Sequence, residues 1–293
     1  MSSRDLPRLW PVATPDRELI GEVICWTCAG VTIRHADLTF ALTEAELDAG
    51  VARELAPRHA FTRACRKLSD ARIIRSVAED AHTLTFQFTA EHRDGSQFAY
   101  ELEAMLTLDK QTGHVTCPVA QLATLAQAEL DRCLEARTGG DVTRVVQKLF
   151  ERHADLFPVR PQGGAYFVPI QHAPFVDRVQ RFLGRLDGQV LRFPVPAGTV
   201  QGDRAVTTAV AEGLNALVAE HAAAIEAFDV DTRPSTVERA AERIRTTRYK
   251  VEAYSTLLAD QRERLERSLV EASSVLRAKL VAMSSEREAV ASH

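Results

Sequence analysis

Long apolar runs are missing from this sequence, and no stretch approaches the roughly 18 uninterrupted apolar residues of a membrane-spanning helix. The amino terminus, MSSRDLPRLWPVATPDR, is polar, broken by proline, and without the apolar centre of a secretory signal. Both absences predict a cytoplasmic chain with no membrane partner. Cysteine is sparse: Cys25, Cys28, Cys65, Cys117 and Cys133 are the five in 293 residues. A disulfide framework needs a dense, even set in a short secreted chain, so these are expected to be reduced thiols. Lysine is rarer still, since Lys67, Lys110, Lys148, Lys250 and Lys279 are the only lysines among 36 basic residues. With abundant alanine, that imbalance reads as the coding bias of a GC-rich genome ahead of phosphate recognition. A net charge of −4 excludes a surface that attracts nucleic acid everywhere, so any such contact must be local.

Catalytic signatures are missing too. Cys25-Trp-Thr-Cys28 has the spacing of half a zinc site, but no second close pair completes the four ligands, and a buried strand is the expected setting. The loop Pro196–Arg204 contains glycine but lacks the lysine and following hydroxyl of a phosphate-binding loop. Glu101 with Glu103, and Asp229 with Asp231, have no lysine or histidine in nuclease-like spacing, and read as a solvated strand face and as helix-ending residues. The histidines are dispersed, and no serine sits in a nucleophile elbow. No catalytic, cofactor or metal residue is therefore assigned, and the chain is expected to act by binding.

What the sequence does contain is an α+β pattern ending in a long charged helix. Glu18–Val23 and Gly30–Arg34 read as strands, Thr43–Ala49 as a helix introduced by Thr43 and Glu46, and Pro57–Lys67 as a second helix. Arg72–Val77, Thr83–Ala90 and Gln97–Leu108 alternate apolar and polar residues, with Asp94-Gly95 as a hairpin turn. On that alternation Leu84, Phe86 and Phe88 should face the same side as Phe98, Tyr100 and Leu102 across the hairpin, or be paired with them through it. An antiparallel sheet with flanking helices follows.

Pro118 then opens a helix to about Arg137, Thr138-Gly-Gly140 breaks it, Asp141 caps a second helix through His153, and Phe157–Pro169 reads as two strands about Gly163-Gly164. Helix, turn, helix, hairpin is the order of a winged helix, which would offer Arg144, Gln147, Lys148 and Arg152 to a groove and Arg160 on the wing. Ala173–Leu186, Gln189–Pro196 and Asp203–Phe228 continue as helix, strand and helix.

Beyond Pro234, the last proline, Ser235–His293 reads as a single helix with Ser235 and Glu238 as its capping box. Val237, Ile244, Val251, Leu258, Leu265 and Ala272 recur every seven residues beside Tyr254, and the stripe drifts through Leu269, Leu276, Leu280 and Met283. That stripe is open to coiled-coil pairing, though its drift argues against a long regular supercoil. At about 1.5 Å per residue the helix would reach roughly 90 Å, so part of it should project or pair with another chain. The plainer alternative is a hairpin folded back on its own domain.

Gly30–Leu42 (GVTIRHADLTFAL), Leu55–Ala64 (LAPRHAFTRA), Gly164–Pro169 (GAYFVP) and Arg233–Arg239 (RPSTVER) resemble an uncharacterised protein family of bacteria and their phages. The resemblance implies no activity or site residues.

The expectation is three segments: an N-terminal α+β domain over 1–117, a winged-helix-like α+β domain over 118–231, and a long charged helix over 232–293. The leading function is a non-enzymatic assembly or adaptor protein that binds a protein partner or itself through Ile244, Val251, Tyr254, Leu258, Leu265 and Leu269. The alternative is nucleic-acid binding through Arg144, Lys148, Arg152, Arg160, Arg239, Arg243, Arg245, Arg248 and Lys250. Arg239 lies beside Arg243, and Arg245 beside Arg248, at helical spacings that favour an anionic neighbour.

Overall fold

The computed structural model describes residues 18–69, 72–94, 97–160, 162–229, 231–258 and 261–291. The chain opens with β1 (Leu19–Thr27), β2 (Thr32–Arg34), α1 (His35–Glu44) and α2 (Pro57–Lys67), then β3 (Arg72–Glu79), β4 (Thr83–Asp94), β5 (Gln97–Asp109) and β6 (Val115–Thr116). There follow α3 (Ala120–Glu135), β7 (Ala136–Thr138), α4 (Gly139–His153), β8 (Phe157–Pro158), β9 (Tyr166–Pro169), a 3-10 turn at Ile170–His172, α5 (Ala173–Gly184) and β10 (Gln189–Pro196). Among the described residues there then follow α6 (Val200–Glu226), α7 (Pro234–Ala253), the short α8 (Ser255–Leu258) and α9 (Arg262–Ala291). The fold is α+β, with antiparallel sheets, flanking helices and a long helical C-terminal region.

Contacts divide the chain into two units that cut across the three segments drawn from sequence. Among the described residues, one takes 18–26, His153–Val176 and those from Val190 onward; the other takes Thr27–Arg152 and Asp177–Gln189. Strand pairing decides this, because β1 pairs antiparallel with β9 more than 140 positions away (Gly21↔Pro169 to Ile24↔Tyr166).

In the Thr27–Arg152 unit, β3–β4–β5–β6 form an antiparallel sheet in sequence order. Its inner face buries Leu84, Phe86, Phe88, Ala104, Leu106 and Leu108 against Ala60, Phe61, Ala64 and Cys65 of α2 and Leu122, Ala126 and Leu130 of α3. The two helices are clamped by Glu129, which accepts from Lys67 (2.5 Å) and Arg132 (2.6 Å). The expected shared face of Leu84–Phe88 and Phe98–Leu102 is corrected here. Phe88 pairs with Ala104 but Thr89 with Leu102, so Glu103 is an extra, bulged residue. One inserted residue sends every side chain beyond it to the opposite face. Phe98, Tyr100 and Leu102 consequently stand on the outer face beside Arg93, Glu91 and Thr89 and are 56–58% exposed. Arg72 pins the bulge by donating to both carboxylate oxygens of Glu103 (2.5 and 2.8 Å).

Two helix boundaries also differ from expectation. The first helix is His35–Glu44, not Thr43–Ala49, because Leu38, Ala41, Leu42 and Ala45 form its buried stripe; Thr43 lies at its end, its hydroxyl donating to the Thr39 carbonyl, and Glu46 turns left-handed (φ 57°). α3 stops at Glu135, since Ala136–Thr138 leaves the helix to pair with β2.

In the other unit β10, β1, β9 and β8 lie in that order, and Arg192 donates to both oxygens of Glu22 (2.5 and 2.7 Å) across β10 and β1. The hairpin β8–β9 thus extends a sheet that includes β1 and β10, whereas the wing of a winged helix would be a hairpin belonging to the helices that precede it. Phe157 and Phe167 of this sheet join the interior of a helical bundle made by Val206, Val210, Leu214, Val218 and Ile225 of α6, Val237, Ile244 and Val251 of α7, and Leu265, Leu269, Leu276 and Met283 of α9.

The single C-terminal helix is likewise corrected to a hairpin. Arg233 is the N-cap and Pro234 fills the first turn, with no side-chain cap from Ser235; the helix ends at Tyr254 (φ −104°, ψ 18°), and α9 returns along α6 and α7. Near its far end Lys279 donates to the Glu226 and Phe228 carbonyls (both 3.0 Å), satisfying the C-terminus of α6. The bundle therefore runs up, down and up.

Truncating the fully buried Leu269 to Ala should cost about 2–5 kcal/mol. Urea unfolding with a lowered midpoint is the expected result. Unchanged stability with weakened self-association would show instead that Leu269 serves a contact between chains.

Candidate functional site

The residues singled out for partner binding lie inside the bundle of their own chain. Ile244, Val251, Tyr254, Leu258, Leu265 and Leu269 are all at most 5% exposed, with Leu280 at the stripe's edge remaining open. The heptad spacing was a true signal of helix packing, and its partner is α6 and the neighbouring turn of the same polypeptide.

The basic residues are dispersed and mostly engaged. Arg144 pairs with Asp141 (3.2 Å), Arg152 with Asp48 (2.8 Å) and Arg245 with Glu242 (2.8 Å). Arg160 folds back on the Gly163 carbonyl, and Arg239 on the Ser235 carbonyl and Thr236 hydroxyl. Lys148, Arg243 and Arg248 are exposed and make no ion pair among the described residues. Arg239 and Arg243 line a small cavity of about 120 Å³ between α6 and α7, walled by Ala224, Phe228, Thr236 and Ala240 and floored by His221. His221 is buried, bonds the Thr247 hydroxyl (2.9 Å), and is held below the usual imidazole range first by burial and then by Arg243, despite Glu220.

Lys250 has a different role. Its ammonium lies 2.6 Å from Asp155, a carboxylate with 14% side-chain exposure in the turn between α4 and β8. The same carboxylate accepts from the Tyr254 hydroxyl (2.5 Å) and is bonded by His172 Nε2 (3.2 Å), while Gln171 donates to the Tyr254 oxygen (3.1 Å). Tyr254 also sets its ring edge-on to Phe157 at 5.3 Å. Burial opposes ionisation of Asp155, but bonds from His172, Lys250 and Tyr254 outweigh it and hold the carboxyl well below its ordinary range. Burial, then the Asp155 carboxylate, holds the Tyr254 phenol protonated well above its ordinary range. A base saturated by three donors and a phenol that resists ionisation make a poor proton-transfer pair; they make a strong cross-link. No sequence signal pointed to Asp155, because its partners lie 17 to 99 positions away.

The acidic and cysteine motifs resolve simply. Glu103 is taken by Arg72, and Glu101 approaches His92 at 3.9 Å on an open rim. Cys25 lies in β1 and is half-buried, and Cys28 is buried, its thiol raised by burial against a bond from Thr143. Cys28 instead fixes a close approach: a Cβ on Gly139, at the start of α4, would collide with the Cys28 carbonyl oxygen. There Asp141 accepts from the Thr138 N–H (3.0 Å) and from Arg63 (2.6 and 2.8 Å), and although burial works against it, these bonds bring its carboxyl down to about 2. Among the described residues no group of three His, Cys, Asp or Glu side chains is placed to hold a metal ion, and no helix is long and apolar enough to cross a membrane.

Replacing Asp155 by Ala should cost about 3 kcal/mol or more, because it leaves Lys250 partly buried without a counter-charge. In the unmodified protein Asp155 binds its proton less readily folded than unfolded. Its contribution is therefore complete above the ordinary carboxylate value of about 3.9 and is lost as pH falls below it. Thermal unfolding from pH 7 to pH 3 should show a loss of stability that is smaller in Asp155→Ala. Parallel curves for the two proteins would refute the cross-link.

No curated protein and no solved structure matches the chain. One family model does, that of the family of unknown function DUF6744, over residues 19–287, which takes in the three sheets of the described residues, the Asp155 cross-link, α6, α7 and most of α9. With nearly its whole length inside that match, the chain belongs to the DUF6744 family.

Proposed function

We propose that this chain is a non-enzymatic assembly or adaptor protein that binds a protein partner, and that its contact surface is the free end of the β4–β5 ribbon in place of the C-terminal stripe. One observation carries this. Beyond the bulge at Glu103 the ribbon leaves the cover of α2 and α3, and Phe98, Tyr100 and Leu102 stand in a row on one uncovered face, with Met105 behind them (42% exposed). A two-stranded ribbon is at best marginal in water, and two aromatics and a leucine aligned on its open face favour a covering surface. Aromatic residues are enriched where proteins meet. The charges around the row are mixed, Glu91, Glu101 and Glu103 against Arg72, His92 and Arg93, which suits a protein better than a phosphate backbone.

A photo-crosslinking amino acid at position 98 of the full-length protein in its native cell tests the reading. Discrete protein adducts are expected from position 98, and not from position 249, where Tyr249 is exposed on α7. Absence of adducts at 98 would remove the ribbon as a contact surface.

A second reading, nucleic-acid binding, is favoured by the unpaired Arg243 and Arg248 on α7 and by the cavity that Arg239 and Arg243 share. Reversing Arg243 and Arg248 to Glu should then weaken binding and lower its log–log salt slope by roughly 0.7 to 0.9 per lost phosphate contact. No binding by the unmodified protein at low salt would end this reading.

A further inference from the structure

The ribbon that supports the adaptor reading has a second property, in its backbone. β6 pairs with β5 only at Thr107 and Leu108, so among the described residues the edge of β5 from Phe98 to Leu102 carries no strand on that side. An open edge presents a row of unpaired N–H and C=O groups, and proteins commonly guard such edges with proline, lysine or very short strands. Phe98-Ala-Tyr-Glu-Leu102 contains neither proline nor lysine, and its one charge is Glu101.

The same five residues are self-complementary. With two copies antiparallel and Tyr100 opposite Tyr100, Phe98 falls opposite Leu102 of the second copy, and Ala99 opposite Glu101 of the second copy. Phe98, Tyr100 and Leu102 of both copies then lie on one face, giving a continuous row of six across the joint. Aromatic–aromatic and aromatic–aliphatic cross-strand pairs each contribute roughly 0.2–1 kcal/mol. Sliding the register by one residue to centre on Glu101 would set two like charges directly opposite, which is unfavourable. The bulge at Glu103 ends the regular pairing just beyond, and so limits the joint to this palindrome.

Resting on the adaptor reading, we infer that the partner is a second copy of this chain: two molecules join their β5 edges antiparallel about Tyr100, forming a two-fold dimer with one sheet continuous across both. Edge pairing supplies backbone hydrogen bonds, and the apolar row supplies the burial that neither copy achieves alone.

Sedimentation of the purified full-length protein across the micromolar range tests this. A reversible dimer is expected, and Tyr100→Lys, which sets two ammonium groups face to face on the axis, should raise its dissociation constant at least about tenfold, equivalent to 1.4 kcal/mol. Under mild oxidation Tyr100→Cys should form a reductant-sensitive dimer more readily than the parent protein or Glu101→Cys, whose thiol would face Ala99. A monomer at all concentrations, a dimer indifferent to Tyr100→Lys, or stronger cross-linking at 101 than at 100 would each overturn the assignment. Circular dichroism of each variant confirms that a changed assembly is not a loss of fold. A purified monomer together with cellular adducts at position 98 to a different protein would overturn the second copy and leave the adaptor reading standing. No adducts of any kind would remove both.

Discussion

A buried carboxylate needs donors, and Asp155 obtains them from Lys250 and Tyr254 at the end of α7 and from His172 beyond β9. Much of the bundle unit depends on that convergence. The α7 segment contains no glycine or proline near Tyr254 that would end a helix, and residues on both sides are good helix formers. The chain leaves the helix there with the Tyr254 hydroxyl held by Asp155 and its ring set against Phe157. Once the chain turns, α9 is free to return along α6, and the heptad stripe that could have joined two molecules fills the interior of one. An ion pair of this kind is not a large source of stability beside the apolar burial around it, but removing one member leaves a buried charge, so it acts as a constraint on which fold is allowed.

The sheet unit has its own governing constraint in the bulge at Glu103. Up to that point β5 obeys the alternation that buries Ala104, Leu106 and Leu108, and past it the alternation is reversed. Without the extra residue, Phe98, Tyr100 and Leu102 would face the same way as Phe86 and Phe88, in line with the core that α2 and α3 cover. With it they face outward. Arg72 holds the bulge residue from the neighbouring strand, so three strands cooperate in placing an apolar row where nothing in the described chain covers it. The functional reading of this DUF6744 protein therefore rests on one residue of register more than on any reactive group.

Local order was readable wherever neighbours in sequence are also neighbours in space. The helix at Pro57–Lys67, the hairpin β4–β5, the strands at β1 and β10 and the helical character from Pro234 onward follow from period, proline placement and turn residues. The burial of Cys28 was also legible, since a free cysteine commonly behaves as a small core hydrophobe. The helix at His35–Glu44 was hidden because Thr43 looks like a cap when it in fact lies in the last turn, its hydroxyl bonding back to the Thr39 carbonyl.

By itself, then, the sequence determined the α+β class, most elements and the apolar stripe of the last helices, because these depend on interactions within a turn or a hairpin. Tertiary structure alone decided that the stripe is internal, that β8–β9 extends a sheet containing β1, that Asp155, His172, Lys250 and Tyr254 meet, and that Phe98, Tyr100 and Leu102 face outward. Each of those outcomes turns on a pairing between distant segments or on a single inserted residue in a strand. Neither leaves a periodic trace, because the energy that selects it comes from groups that become neighbours only when the chain has folded.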